Sequence, residues 1–184
     1  MFEDKRSRKV IILAHCILNQ NAKLDRLVTS YSGTISEVAN IIVNSGVGIL
    51  QMPCPELLCL GLDRDCIKGT FPTIEAEKTR VGRKMSDFTF KEQCSNIADN
   101  IVYQIEEYTT NNFNILGIVG VNCSPTCGTE TTWIDNDEVK GQGIYIQILE
   151  EKLKDKGLKV PIKGIKPDEI NEAELIIREL LLNA

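Results

Sequence analysis

The run at residues 115–121 reads Ile-Leu-Gly-Ile-Val-Gly-Val and contains no polar position. A strand without a polar face must be covered on both sides, which in practice means a parallel sheet beneath helices. Residues 9–15 (KVIILAH) and 48–52 (GILQM) are further strand-length apolar runs. A fourth strand is expected at 160–165, where Pro161 points to a sheet edge.

Helical periodicity separates these runs. Over 34–46, Ile35, Val38, Ala39 and Ile42 share a face, Thr34 and Glu37 have capping-box spacing, and Gly46 can end the helix. Over 87–108 the apolar face is Phe90, Cys94, Ile97, Ala98, Ile101, Ile105 and Tyr108. Two more helices are expected at 143–156 and 168–182. The stretch 53–86 reads as a long irregular loop with basic residues, among them Arg80, Arg83 and Lys84. The order of elements predicts an α/β fold: a doubly wound, mainly parallel sheet with helices on both faces, Rossmann- or flavodoxin-like. A length of 184 residues suits one domain spanning 1–184.

Charge and composition narrow the function. With 21 Lys and Arg against 26 Asp and Glu, the net charge is −5, without the basic footprint of a nucleic-acid binder. No apolar stretch approaches the roughly 20 residues of a membrane helix. Residues 1–9 are charged and the apolar run 10–14 is too short for a signal-peptide core, so a cytoplasmic location is expected. In a reducing compartment, 7 cysteines point to metal binding or thiol chemistry rather than disulfides. The 1 histidine, His15, excludes every site built on two.

The cysteines gather where the strands end. Cys16 follows the first strand, Cys54 follows the second within Pro53-Cys54-Pro55-Glu56, and Cys123 and Cys127 follow the third within Asn122-Cys123-Ser124-Pro125-Thr126-Cys127-Gly128. Ligands of a parallel α/β sheet sit outside the carboxyl ends of its strands. Cys16, Cys54 and Cys127 are therefore the candidate ligands, with Cys59 and Cys123 as neighbouring substitutes. Cys94 falls on an apolar helix face and reads as core, and Cys66 as incidental. Thiolates select zinc, copper(I) or iron–sulfur clusters. There is no Cys-x-x-Cys pair of the kind that structural zinc favours. Ligands scattered over distant loops suit a larger body, such as a [4Fe-4S] cubane held by three cysteines with one iron left open.

A cysteine closing the first strand, a Cys-Pro-Glu turn after the second and Ser-Pro-Thr-Cys-Gly after the third together resemble the DUF523 family of TudS-like thiouracil desulfidases. The resemblance covers roughly residues 9–130. It implies a [4Fe-4S] cluster on Cys16, Cys54 and Cys127, with non-redox removal of sulfur from a small thiolated base. It also implies that Glu56 and Ser124 act as acid/base and polar helpers. Where family members carry a second cysteine shortly after the first, this chain has Asn19-Gln20-Asn21-Ala22-Lys23-Leu24-Asp25.

Two other readings stand beside this one: a non-catalytic iron–sulfur or metal-binding protein, as carrier or redox sensor, and a hydrolase with Cys127 or Cys123 as nucleophile. The second is weakened because His15 alone could serve as its histidine base. His15 and Trp133 are expected to pack within the protein, Arg80 and Arg83 to form a solvated surface, and Asn19 and Asn122 to flank the ligands. The partner expected is a small molecule, with no nucleic acid and no membrane, and the oligomeric state is open.

Overall fold

The computed structural model describes residues 3–28, 30–67 and 72–182. In chain order the elements are β1 (Lys9–Leu13), α1 (His15–Leu18), a 3-10 turn (Gln20–Ala22), α2 (Ser36–Asn44), β2 (Gly48–Gln51), α3 (Pro55–Leu60), α4 (Ile74–Met85), α5 (Phe88–Thr110), β3 (Asn114–Val121), β4 (Thr131–Ile134), β5 (Asp137–Lys140), α6 (Ile144–Asp155), β6 (Ile162–Ile165) and α7 (Ile170–Leu182).

The apolar runs become the strands of one parallel sheet in the order β2-β1-β3-β6. Ile11, Ile12, Ile118 and Val119 are wholly buried, as strands covered on both faces require. β6 is an edge strand, and Pro161 precedes it, accepting at its carbonyl from the Ile118 N–H at 2.8 Å.

Connection handedness then sets the layers. From β1 the chain moves outward one way, through α2 to β2; from β3 it moves the other way, through α6 to β6. Right-handed crossovers in opposite directions place α2 and α6 on opposite faces. The packing agrees, with α2 against α7 and α5 against α6. The fold is a doubly wound α/β fold, and its switch point lies between β1 and β3. A crevice opens there at the carboxyl ends of the strands.

Three expectations need correction. The stretch 53–86 is not a loop: it holds α3 and α4, while its residues 68–71 lie outside the described residues. The capping box at Thr34 is not made, because the helix starts at Ser36 and the Thr34 hydroxyl donates instead to the Leu18 carbonyl at 2.9 Å. The region around Trp133 is an antiparallel hairpin, β4–β5, rather than a polar loop. Among the described residues no helix is long and apolar enough to cross a membrane.

Candidate active site

Each strand end delivers a thiol by a different local device. After β1 the Ala14 N–H still donates to the Val119 carbonyl at 2.8 Å, so the chain leaves the sheet only at His15. The turn of α1 that follows carries Cys16, and the Gln20 side-chain amide donates to the Cys16 carbonyl. After β2, the Met52 N–H donates to the Leu13 carbonyl at 2.8 Å, and Cys54 stays extended as the residue before α3. Pro55 opens that helix, where its missing N–H costs nothing, and Glu56 follows in the first turn.

After β3 the chain doubles back. The Val121 N–H donates to the Cys127 carbonyl at 3.0 Å, and the Ser124 Oγ accepts from the Cys127 N–H at 3.0 Å. A Cβ on Gly120 would lie 2.5 Å from the Cys127 carbonyl oxygen, so only glycine permits this approach.

The three thiols open onto one cavity of about 350 Å³, lined also by Glu56, Cys123 and Ser124. Leu24, Leu27, Val81, Val121 and Pro125 supply an apolar wall. The cavity lies at the switch point between β1 and β3.

Burial pushes the Cys16 thiol up from its ordinary value, the Glu56 carboxylate adding to the shift and Lys23 opposing it. Cys54 is pushed up to about 12 by burial and then by Glu56, while the Leu57 N–H and Arg64 work against the rise. Cys127 is raised well above the usual thiol range by burial, followed by the charges of Cys54, Glu56 and Cys16. Cys127 thus feels Cys54 and Cys16, Cys54 feels Cys16, and burial is the first cause that holds all three thiols protonated.

Among the described residues, no set of three His, Cys, Asp or Glu side chains is gathered tightly enough for a single metal ion. The donors are three soft sulfurs spread around a cavity, which fits a multi-iron cluster better than one ion.

Arg64, which the sequence reading did not single out, organises this side of the cavity. Its side chain is 1% exposed. The Nε donates to Glu56 Oε2 at 3.2 Å, and one Nη donates to the Ala22 carbonyl at 2.5 Å and faces the Cys54 sulfur at 3.8 Å. The other Nη donates to the Gly61 and Leu62 carbonyls. One guanidinium therefore joins the turn after Cys16 to the helix after Cys54. No local pattern marks such a residue, since its partners lie up to 42 positions away.

The remaining candidates are placed as follows. Cys59 is not among the cavity's lining residues; it packs against the hydrophobic core, and Cys94 is fully buried on α5. Cys123 lines the cavity with a left-handed φ of 64°, and its sulfur lies 3.3 Å from Lys78 Nζ. That ammonium also sits 4.3 Å over the Trp133 ring, whose Nε1 donates to Thr79 Oγ1 and the Glu75 carbonyl. Trp133 is thereby held by α4. Asn122 lines the cavity and braces the loop, its Oδ1 accepting from the N–H groups of Thr129, Glu130 and Thr131.

His15 and Asn19 do not line the cavity. His15 starts α1 rather than ending a strand. Arg80 is not a solvated surface group: it is half-buried, pairs with Glu77 at 2.7 Å and donates to the Arg64 carbonyl at 2.9 Å. Arg83 is exposed and pairs with Asp135.

Fold and site define a parallel α/β protein with a thiol-lined cavity at its switch point. No family model matches the sequence. The chain is 29% identical over 163 residues to the uncharacterized protein MJ0003 of Methanocaldococcus jannaschii, covering 88% of this chain and 86% of that one. Among solved structures, the [4Fe-4S]-dependent thiouracil desulfidase TudS aligns with 93% of this chain and 99% of its own, at 16% identity and a TM-score of 0.49.

Proposed function

We propose that this protein is a [4Fe-4S]-dependent desulfidase. It replaces the sulfur of a small thiocarbonyl compound, such as a thiolated nucleobase, by oxygen and releases sulfide without net redox change. The observation that carries this reading is the convergence of Cys16, Cys54 and Cys127, from three strand ends, on one cavity beside Glu56 and Ser124. The Cys-Pro-Glu and Ser-Pro-Thr-Cys-Gly turns add the sequence resemblance.

A [4Fe-4S] group on these three thiolates would supply a Lewis acid with one iron lacking a protein ligand. The protein's own groups do the rest. The apolar wall of Leu24, Leu27, Val81, Val121 and Pro125 receives a flat ring and limits water. Glu56 has one carboxylate oxygen held by Arg64, and its other oxygen takes a proton from the water that attacks the thiocarbonyl carbon. The Ser124 Oγ accepts from the Thr126 and Cys127 N–H groups, so its hydroxyl hydrogen is directed elsewhere and donates to a substrate heteroatom. The balance is one water consumed, one C–S double bond exchanged for C–O, and one hydrogen sulfide released. Because His15 does not line the cavity, a cysteine nucleophile there would lack a histidine base.

The test is anaerobic reconstitution with iron and sulfide, followed by incubation with a thiolated pyrimidine and no electron donor. Iron bound by the three cysteines and release of sulfide are the expected results. Bound iron without sulfide release from any thiolated pyrimidine or purine would replace this reading by a carrier or redox sensor.

A further inference from the structure

We infer that Lys78 and Cys123 form a redox modification site, a pair that dioxygen closes to a covalent N–O–S bridge between α4 and the loop after β3. Lys78 Nζ lies 3.3 Å from the Cys123 sulfur, and both residues line the cavity. Neither belongs to the proposed ligand set of Cys16, Cys54 and Cys127, so the inference stands whether or not the protein is a desulfidase.

The fold holds the two groups together from both sides. Lys78 sits on α4, and its ammonium also lies 4.3 Å over the Trp133 ring. That ring is itself tied to α4, its Nε1 donating to the Glu75 carbonyl at 3.2 Å and to Thr79 Oγ1 at 3.1 Å. Cys123 is kept in a left-handed conformation, φ 64°, while its N–H donates to the Thr131 carbonyl at 3.2 Å and to Thr131 Oγ1 at 3.1 Å. A cysteine holds such a conformation only where its surroundings impose it. Both side chains are half-buried, so a small oxidant that enters the cavity reaches the sulfur. Cys54 makes the contrast: the cation 3.8 Å from its sulfur is the Arg64 guanidinium, whose delocalised nitrogens make no nucleophile.

With dioxygen as the oxidant, the chemistry balances in two steps. The Cys123 sulfur takes up dioxygen, forming an S–O bond while its hydrogen passes to the far oxygen, which gives S–O–O–H. The Lys78 ammonium releases one proton to water, and its nitrogen attacks the sulfur-bound oxygen. The N–O bond forms, the O–O bond breaks, and the departing hydroxide takes a second nitrogen proton and leaves as water. Dioxygen gains four electrons, two from sulfur and two from nitrogen. Excess thiol reverses the change, as it does for the other mild products of thiol oxidation, and the bridging oxygen leaves as water. One oxygen between nitrogen and sulfur suits their separation better than a direct S–N bond, which would draw α4 further toward the loop. The bridge removes an ammonium from the cavity wall and ties α4 to the loop that carries Cys127.

The experiment uses the full chain, purified anaerobically with a chelator, exposed to air-saturated buffer, alkylated, digested with trypsin and mapped by peptide mass. The expected result is one cross-linked peptide pair, heavier than its two parts by one oxygen and lighter by two hydrogens. Fragment ions should place the link on Cys123 and Lys78, and trypsin should no longer cut after Lys78. Excess dithiothreitol should restore both residues. Lys78→Arg, which keeps the charge without the amine, should yield no such pair. Full alkylation of Cys123 with normal cleavage after Lys78 would overturn the assignment. So would a link from Cys123 to another cysteine, a link lacking the added oxygen, or the same link in Lys78→Arg. The mapping is done on the wild type, so it decides the question even if the variant does not fold.

Discussion

The buried Arg64 guanidinium holds the Glu56 carboxylate at 3.2 Å, and Arg64 lies in a left-handed backbone conformation with φ 54°. A residue in that conformation carries strain of about 1–2 kcal/mol, which its side-chain bonds must outweigh. Those bonds reach Ala22, Gly61, Leu62 and Glu56. The ion pair therefore fastens both halves of the cavity wall at once.

Removing the guanidinium should be costly for that reason. In Arg64→Met, Glu56 loses its cation and the Ala22 and Gly61 carbonyls lose their donor. We expect a stability loss of about 3–5 kcal/mol, the range for one partner removed from a buried pair. Arg64→Lys should recover part of it, since an ammonium keeps the charge but cannot reach all of these acceptors. Urea unfolding midpoints measure both. A loss under 1 kcal/mol in Arg64→Met, at ordinary surface-pair scale, would show the pair is not structural.

Ligand roles separate by iron content. Cys16→Ala, Cys54→Ala and Cys127→Ala should each fail to retain iron after anaerobic reconstitution. Cys94→Ala should retain it and lose about 1–3 kcal/mol of stability, as core truncations do. Full iron in Cys54→Ala with loss in Cys59→Ala, or full iron in Cys127→Ala with loss in Cys123→Ala, would move that ligand to the neighbouring cysteine.

The strands were legible because β1 and β3 are covered on both faces and so tolerate no polar residue in their middles. Helices α3 and α4 were not. α3 is short and begins with a proline in Pro53-Cys54-Pro55, and the α4 face is thin, with Val81 and Met85 as its buried apolar residues. The β4–β5 hairpin did leave a signal. Asp135-Asn136 are the two central residues of a tight turn, both at positive φ, and Asx pairs are favoured there. The strand-end position of Cys16, Cys54 and Cys127 could be read because sheet topology alone predicts it. Arg64 could not, because its role depends on carbonyls brought together by the fold.

Alkaline pH should weaken the fold through its buried acids. Burial, with a smaller push from Cys59, raises Cys94 from 9.0 to about 12, and burial raises Tyr145 above 10.0. The folded chain keeps these protons at a pH where the unfolded chain has released them. Their stabilisation is thus complete below about pH 9 for Cys94 and below about pH 10 for Tyr145, and above those values each loses about 1.4 kcal/mol per pH unit as pH rises toward its folded value. Urea midpoints should fall between about pH 8 and about pH 10.5, and Cys94→Ala should fall less steeply than wild type. A midpoint rising over that interval would contradict the assignment.

The close contact at Gly120 gives the last expectation, because it links strand packing to ligand placement. A Cβ there would meet the Cys127 carbonyl oxygen and the Thr129 Cγ2, each at 2.5 Å. β3 is fixed by β1 on one side and β6 on the other, so the loop carrying Cys127 must yield. Gly120→Ala should therefore cost about 1–3 kcal/mol, the range for overpacking, and should also impair iron retention by displacing Cys127. Gly157→Ala is the matched comparison: with φ 69° and no neighbour within 4 Å of an added Cβ, it sits beyond α6, away from the cavity. It should cost about 1 kcal/mol through backbone strain alone and leave iron content unchanged. Equal iron content in the two variants would show that the approach of β3 to Cys127 serves packing and not the placement of that thiol.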